Sequence, residues 1–424
     1  YETLRYFAGA SSATSAFSSN VSSNSYETGL ELPLATWDNP YVGQGAYSCA
    51  APVQTIISDI NPSYDTDDLP GTAFGDGLTA SPSRLSSLNV ANEGQTIWNG
   101  EFGSGFSRQH FIGQSAAVSD GAPTAKTVTS FGNIRGLAPA EPTKMGGYYS
   151  AGLAYYGLRN DLSAATGDQK LSSYVVALAS PLPQFRIPVG DHFITLVPFG
   201  KSVGSGSTPY SAYYPTNTIV DFYVEDIAED GRSGTFRINF EDVEQGNDHD
   251  MDAIVRYEYE VIGDSQLRLE LTSEYAAGSV VQHMGYVISG TTADGVYLEV
   301  RDEDTPAAND VSAAYTLDTP PSRATPSDPR GADELPLQAT RTFTVNTSSG
   351  ASTASLLKGP LWYAAKWGGF KDRNGNGIPD LREEWTSAAA GESDPDPDNY
   401  YLVTNALGLR DQLTSAFNNI LIQT

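Results

Sequence analysis

Cysteine is almost missing from this sequence: Cys49 stands alone among 424 residues. No disulfide can therefore close within the chain, and a cysteine-based zinc cluster is excluded. Histidine is scarce as well, with four scattered copies at 110, 192, 249 and 283, which argues against imidazole-rich metal chemistry. No apolar run approaches the roughly 18 residues that would mark a membrane span. Positive charge is in short supply, with 24 Lys and Arg against 51 Asp and Glu and a net charge of −27. Such a field opposes binding to nucleic acid phosphates or anionic membranes. The sequence also lacks a G-x-S-x-G elbow and an H-E-x-x-H helix, and Cys49 has no neighbouring histidine, so nucleophilic or metal-assisted catalysis has no motif and a non-enzyme is expected. An initiator Met and a signal peptide are absent too, because the chain starts at Tyr1; this predicts a trimmed product of a longer precursor. Abundant Ser, Thr, Gly, Tyr and Asn fit an exported bacterial surface protein.

What is present falls into three regions. Tyr1 to Gly9 reads as the end of a helix, Pro52 to Asp59 as a buried strand, and residues 60 to 145 mostly as loop with short helices. Gly147 to Leu162 predicts a helix and Leu171 to Leu178 a strand. From 180 to about 345 the period changes to two: Val220, Phe222 and Val224, then Phe236, Ile238 and Phe240, then Leu267, Leu269 and Leu271 alternate with polar neighbours. Regular strands separated by EDGRSG and IGDSQ predict an antiparallel sandwich, and Thr305 to Leu337 reads as a long exposed connection. Helical pattern then returns at Leu361 to Trp367, closed by Gly368 and Gly369, with a strand at Tyr400 to Thr404 and an amphipathic helix from Ala406 to Ile420. The economical arrangement is an α/β domain split by an inserted β-sandwich: residues 1–179 and 346–424 form the α/β part and 180–345 the insert.

The most legible motif is DRNGNGIPDLRE. Asp372, Asn374, Asn376 and Asp380 occupy positions 1, 3, 5 and 9 of a twelve-residue loop, with Gly377 at the sharp turn, the Ile378 carbonyl at position 7 and Glu383 at position 12. Alternate side chains converge, and hard oxygens in this number suit calcium better than zinc, copper or magnesium. The plain alternative is an acidic Asn-Gly turn. A second acidic knot carries Asp242, Glu244, Asp248, Asp250 and Asp252; its charge repels itself unless a cation or arginines neutralise it, and its spacing matches no standard calcium loop. Asp59, at the carboxyl end of its strand, stands where ligands bind in open α/β sheets, with Asp65, Asp67 or Asp68 as co-ligands; an Asp there is more commonly a turn former. Trp362, Tyr363 and Trp367 suggest carbohydrate stacking, but their helical spacing favours core packing.

The string LLKGPLWYAAKWGGFKDRNGNGIPDLREEW, followed by DPDNYYLVTN and a final helix, resembles the segment preceding the β-propeller in the PilY family of type IV pilus assembly and tip-adhesin proteins. FEDVEQGNDHDMDAIVRYEY, GYVISGTTADGVYLEVRDED and YTLDTPP resemble that family's middle region; the similarity is patchy before Ser130 and strong in blocks after it. The resemblance implies an extracellular, calcium-binding component at the pilus tip or cell surface of a bacterium, serving pilus assembly and adhesion. Its partners would be pilins or minor pilins and a surface or host ligand. It also implies a von Willebrand factor A-like domain, incomplete at its N-terminus here, because the D-x-S-x-S metal loop of that domain is missing and Asp59 in ISDI alone matches its later carboxylate. The chain stops at Thr424, where family members continue into a propeller. Two other classes compete: a self-assembling surface-layer or filament protein, and a secreted hydrolase stabilised by calcium.

Overall fold

The computed structural model describes residues 1–16, 36–43, 48–62, 64–120, 122–179, 182–202, 214–216, 219–241, 252–277, 282–305, 335–348, 354–392 and 394–423. The chain opens with helix α1 (Glu2–Phe7) and reaches strand β1 (Val53–Asp59). Helix α2 (Val90–Phe102) follows, started by the Asn89 side chain, which accepts from the Asn92 amide at 2.9 Å. This thirteen-residue helix lies where the sequence pattern predicted mostly loop. The reason is tertiary: Gly94, a poor helix former, is needed because a Cβ there would sit 2.5 Å from the Gly132 amide nitrogen. Close approach to the 131–133 turn lets α2 bury Ile97 and Trp98.

Short strands come next: β2 (Arg108–Phe111), β3 (Gln114–Ser115), β4 (Val118–Ser119), β5 (Ala125–Val128) and β6 (Ile134–Arg135), with β2 on β5 and β3 between β4 and β6. Helix α3 (Tyr149–Arg159) then leads to β7 (Ser172–Leu178).

Ten strands make the sandwich. One sheet uses β8 (Phe185–Val189), β9 (His192–Ser202), β10 (Tyr214–Thr216), β15 (Gln282–Ser289) and β16 (Gly295–Arg301). The other runs β11 (Ile219–Ile227), β12 (Ser233–Phe240), β13 (Asp252–Ile262), β14 (Gln266–Ala277) and β17 (Gln338–Thr344), every pair antiparallel. Burial alternates residue by residue along β12 and β13, so Phe236, Ile238, Phe240, Val255 and Tyr257 face inward onto Met284, Tyr286 and Ile288. Tyr257 crosses the core, its hydroxyl donating to the Gly285 carbonyl at 2.7 Å. Strand β15 is buried along its whole length, because its outer face is covered as well. Phe199, Val287 and Leu298 of this sheet pack with Phe111, Ala122 and Ala354, seating the sandwich on the α/β part. The edge strand β11 carries two register shifts, which disfavour further strand pairing along it.

The chain returns through helix α4 (Pro360–Gly369), the helical turn α5 (Arg382–Trp385), strand β18 (Tyr400–Val403) and helix α6 (Leu409–Gln423). Strands β1, β7 and β18 form a parallel sheet in that order. Leu361 and Ala365 of α4 cover one face through Val175 and Ala177, and Leu409, Leu413 and Ala416 of α6 cover the other through Tyr174, Val176 and Tyr401. Two covered faces explain the unbroken apolar run in β7. Gly369 belongs to α4 rather than closing it: a Cβ there would fall 2.0 Å from Asn399 Nδ2. That amide donates to the carbonyls of Ser173 and Ala365 and so rivets helix to sheet. Trp362, Tyr363 and Trp367 are all buried in the core between α2, α3 and α4.

Candidate metal centre

Between α4 and α5 the loop folds around Asp372. Its Oδ1 accepts from the amides of Gly375 at 2.7 Å and Asn376 at 3.2 Å, and its Oδ2 accepts from Gly377 at 2.9 Å. Such a tight wrap places Gly375 and Gly377 at φ +77° and +78°, the left-handed region that glycine tolerates. Asn374 and Asn376 then stand side by side, each Oδ1 accepting from the amide two residues on at 3.0 Å. Their Nδ2 groups converge on Asp380, donating to Oδ1 at 2.9 Å and Oδ2 at 2.8 Å. These two donors hold the Asp380 carboxyl below its usual range.

Asp372, Asn374, Asn376 and Asp380 are thus one exposed cluster of two carboxylates and two carboxamides. The Ile378 carbonyl accepts from the Asp380 amide at 3.0 Å, while the Ile378 side chain packs into the core. Glu383 is exposed on α5 and lines a cleft of about 450 Å3 with Lys371, Arg373 and Asn419. The glutamate that folds back on the loop is Glu384, which is buried; its Oε1 accepts from the Arg373 amide at 2.9 Å and its Oε2 from the Leu381 amide at 3.2 Å. Glu384 is the third residue of α5, the capping-box position, so counting from Leu381 as N-cap would have singled it out. Among the described residues no three His, Cys, Asp or Glu side chains gather closely enough to bind a metal. In donor chemistry the loop fits calcium: hard oxygens from side chains and one carbonyl, presented on a preformed turn.

Anchors on four elements hold this loop. Tyr155 of α3 donates its hydroxyl to the Gly377 carbonyl at 2.9 Å and stacks edge-on against Trp367 of α4, 4.9 Å between centroids. Arg159, one turn along α3, lies over the Tyr155 ring and pairs with the buried Glu93 of α2. Trp385 packs against Trp362 and takes the Lys366 ammonium 4.4 Å from its ring, and Lys366 reaches Glu101 at 2.8 Å. On the strand side, the Asp398 amide donates to the Trp385 carbonyl at 2.9 Å.

The other acidic positions are spread apart. Asp242, Glu244, Asp248 and Asp250 lie outside the described residues; Asp252 is the half-buried first residue of β13, opposite Ala277. Asp59 is exposed at the end of β1, 3.4 Å from its neighbour's hydroxyl at Ser58. Asp65, Asp67 and Asp68 line a separate cleft that does not include Asp59. Burial pushes the Asp65 carboxyl up to about 7, with the amides of Gly147 and Ser150 at the start of α3 working against it. His110 is buried against Trp98, and burial pushes its imidazole down to about 4. Its Nδ1 lies 3.1 Å from both the hydroxyl and the carbonyl oxygen of Ser355. Among the described residues no helix is long and apolar enough to cross a membrane.

Two family models match the chain: the one described as the second domain of PilY1 homologues covers residues 1–157, and the one described as the PilY1 homologue β-sandwich covers residues 187–334. A curated relative, the type IV pilus biogenesis factor PilY1 homologue of Xylella fastidiosa (strain Temecula1 / ATCC 700964), is 44% identical over 455 aligned residues. The alignment takes in 99% of this chain and 29% of that protein, so the chain spans under a third of the relative's length. No solved structure matches.

Proposed function

We propose, from the premise that the chain belongs to the PilY1 homologue family, that it is part of an extracellular type IV pilus component acting at the pilus tip in pilus assembly and surface adhesion. The observation that carries this reading is the 44% identity extending over 99% of the chain to a pilus biogenesis factor. Pilins or minor pilins are the partners it implies, together with a ligand on the colonised surface.

Within that component the chain has a mechanical part. The parallel β1–β7–β18 sheet, covered by α4 and α6, is read as the later half of a von Willebrand factor A-like domain, and the sandwich as its insert. Calcium would be held by Asp372, Asn374, Asn376 and Asp380 with the Ile378 carbonyl, and Glu383 is the remaining carboxylate at the loop's end. Bound there, the ion supplies positive charge that cross-links the loop without forming any covalent bond. Tyr155, Trp385 and Asp398 transmit this rigidity to α3, α4 and β18. The loop is thereby a clasp between the two halves of the α/β part, and binding to the folded form alone raises its stability by mass action.

The functional test is replacement of the matching segment in a bacterium that carries the full-length protein. Deletion is expected to abolish surface pili and attachment, and an Asp372→Ala, Asp380→Ala variant to reduce both in low calcium. Normal piliation and attachment after clean deletion would overturn the reading.

A further inference from the structure

A cleft of about 420 Å3 opens between α1, the Tyr64–Leu69 segment and the first turns of α3, on residues that the calcium loop does not use. Four carboxylates border it. Glu2 is already committed, its Oε2 taking Arg5 at 2.7 Å and the Thr14 amide at 3.2 Å. Asp65 is half-committed: Oδ1 accepts from the Gly147 amide at 2.6 Å, but Oδ2 is buried without a hydrogen-bond partner. The Ser150 Oγ, on the same cleft, is also buried and without one. Two unpartnered polar atoms on one small cavity are uncommon in a folded protein and call for a donor from outside.

The cleft is built rather than accidental. Thr66 is fully buried and its hydroxyl donates to the Met145 carbonyl. The Tyr149 hydroxyl accepts from the Ala73 amide and donates to the Gly132 carbonyl, both at 2.9 Å. The segment that carries Asp65 is thus pinned to α3 from both sides.

Its walls select the ligand. No Lys, Arg or His lines the cleft; Tyr1, Tyr64, Leu69 and Leu153 give it an aromatic and aliphatic surface, with Asp67 and Asp68 adding negative charge. A bare divalent cation needs six or more oxygens around one point, and no three carboxylates here gather that closely. A head group that brings its own hydrogens and charge needs only Oδ2 and Oγ, and an alkyl stem suits the walls. The Tyr64 ring already holds one ammonium, that of Lys144, 5.4 Å from its centroid.

We propose that this cleft binds an organic monocation, an ammonium or guanidinium on an alkyl stem, with Asp65 Oδ2 and Ser150 Oγ receiving its head. The chemistry is shared by a lysine or arginine side chain of a protein partner and by a free alkylamine. The site goes beyond the pilus reading and stands without it.

The test is calorimetric titration of the whole chain with n-butylammonium, with a blocked Gly-Lys-Gly peptide, with its acetyl-lysine counterpart and with calcium chloride. Saturable one-to-one binding of the first two and none of the acetylated peptide is expected. A tighter peptide assigns the site to a side chain of a partner; a tighter butylammonium assigns it to a free amine. Asp65→Asn should weaken binding about tenfold or more, Ser150→Ala about threefold, and the distant Asp168→Asn should leave it unchanged. Should Asp65→Asn fail to fold, Ser150→Ala and Asp68→Asn carry the decision. Absence of binding by both amines, indifference to Ser150→Ala and Asp68→Asn, or displacement of the amine by stoichiometric calcium would overturn the proposal.

Discussion

The Tyr155 hydroxyl donates to the Gly377 carbonyl at 2.9 Å across 222 residues of sequence. One bond thereby ties the helix before the sandwich to the loop after it. The Tyr155 ring also rests on Trp367, so the same side chain positions α4 and the loop together. Tyr155→Phe keeps the ring and removes the bond, and is expected to cost about 0.5–1.5 kcal/mol in urea unfolding. If the clasp reading holds, the variant also binds calcium more weakly, seen as a smaller calcium-induced rise in melting temperature.

Calcium dependence separates the two adjacent glutamates. Melting of the wild type is expected to rise with calcium and fall with chelator, and Asp372→Ala and Glu383→Ala should shrink that difference. Glu384→Ala should lower melting equally in both conditions, because Glu384 caps α5 and the Arg373 amide whether or not the ion is bound. A calcium shift left intact in both Asp372→Ala and Glu383→Ala would sink the assignment.

Two buried groups give the stability opposite pH slopes. Asp65 titrates near 7 in the folded chain against 3.8 in the unfolded one, so the folded state holds more protons between those values and stability falls as pH rises through that window. His110 titrates near 4 when folded against 6.5 when unfolded. There the unfolded state holds more protons, and stability rises with pH. The contributions oppose each other from about pH 4 to 6.5, each with a slope of at most about 1.4 kcal/mol per unit. Asp65→Asn should therefore leave a curve that climbs with pH, and His110→Gln one that descends, in urea midpoints measured at half-unit steps. Curves of identical shape for both variants would count against the burial of these groups.

Helix propensity and packing make opposite predictions at Gly94. Alanine is the better helix former by about 1 kcal/mol, yet a Cβ there would meet the Gly132 backbone at 2.5 Å. Packing is expected to win, with Gly94→Ala destabilising by about 1–3 kcal/mol. Any gain in the urea midpoint would show that the 131–133 turn gives way freely.

The sequence by itself determined what is local. Twelve consecutive residues carry the turn glycines and oxygen donors of the 372–383 loop, and a two-residue period carries the sandwich strands, because chain geometry alone sets which side chains share a face. Tertiary structure decided the rest. Helix α2 was hidden because Gly94 was chosen by a neighbour 38 residues away at Gly132 rather than by helix propensity. Gly369 looked like a helix stop and is a point of contact with Asn399. The cleft at Asp65 was equally illegible: its carboxylate is fixed by Gly147, 82 residues on, and only folding brings the unpartnered Ser150 hydroxyl onto the same cavity. An Asp in a Gly-rich stretch reads as a turn former until the fold shows which of its oxygens has been left without a donor.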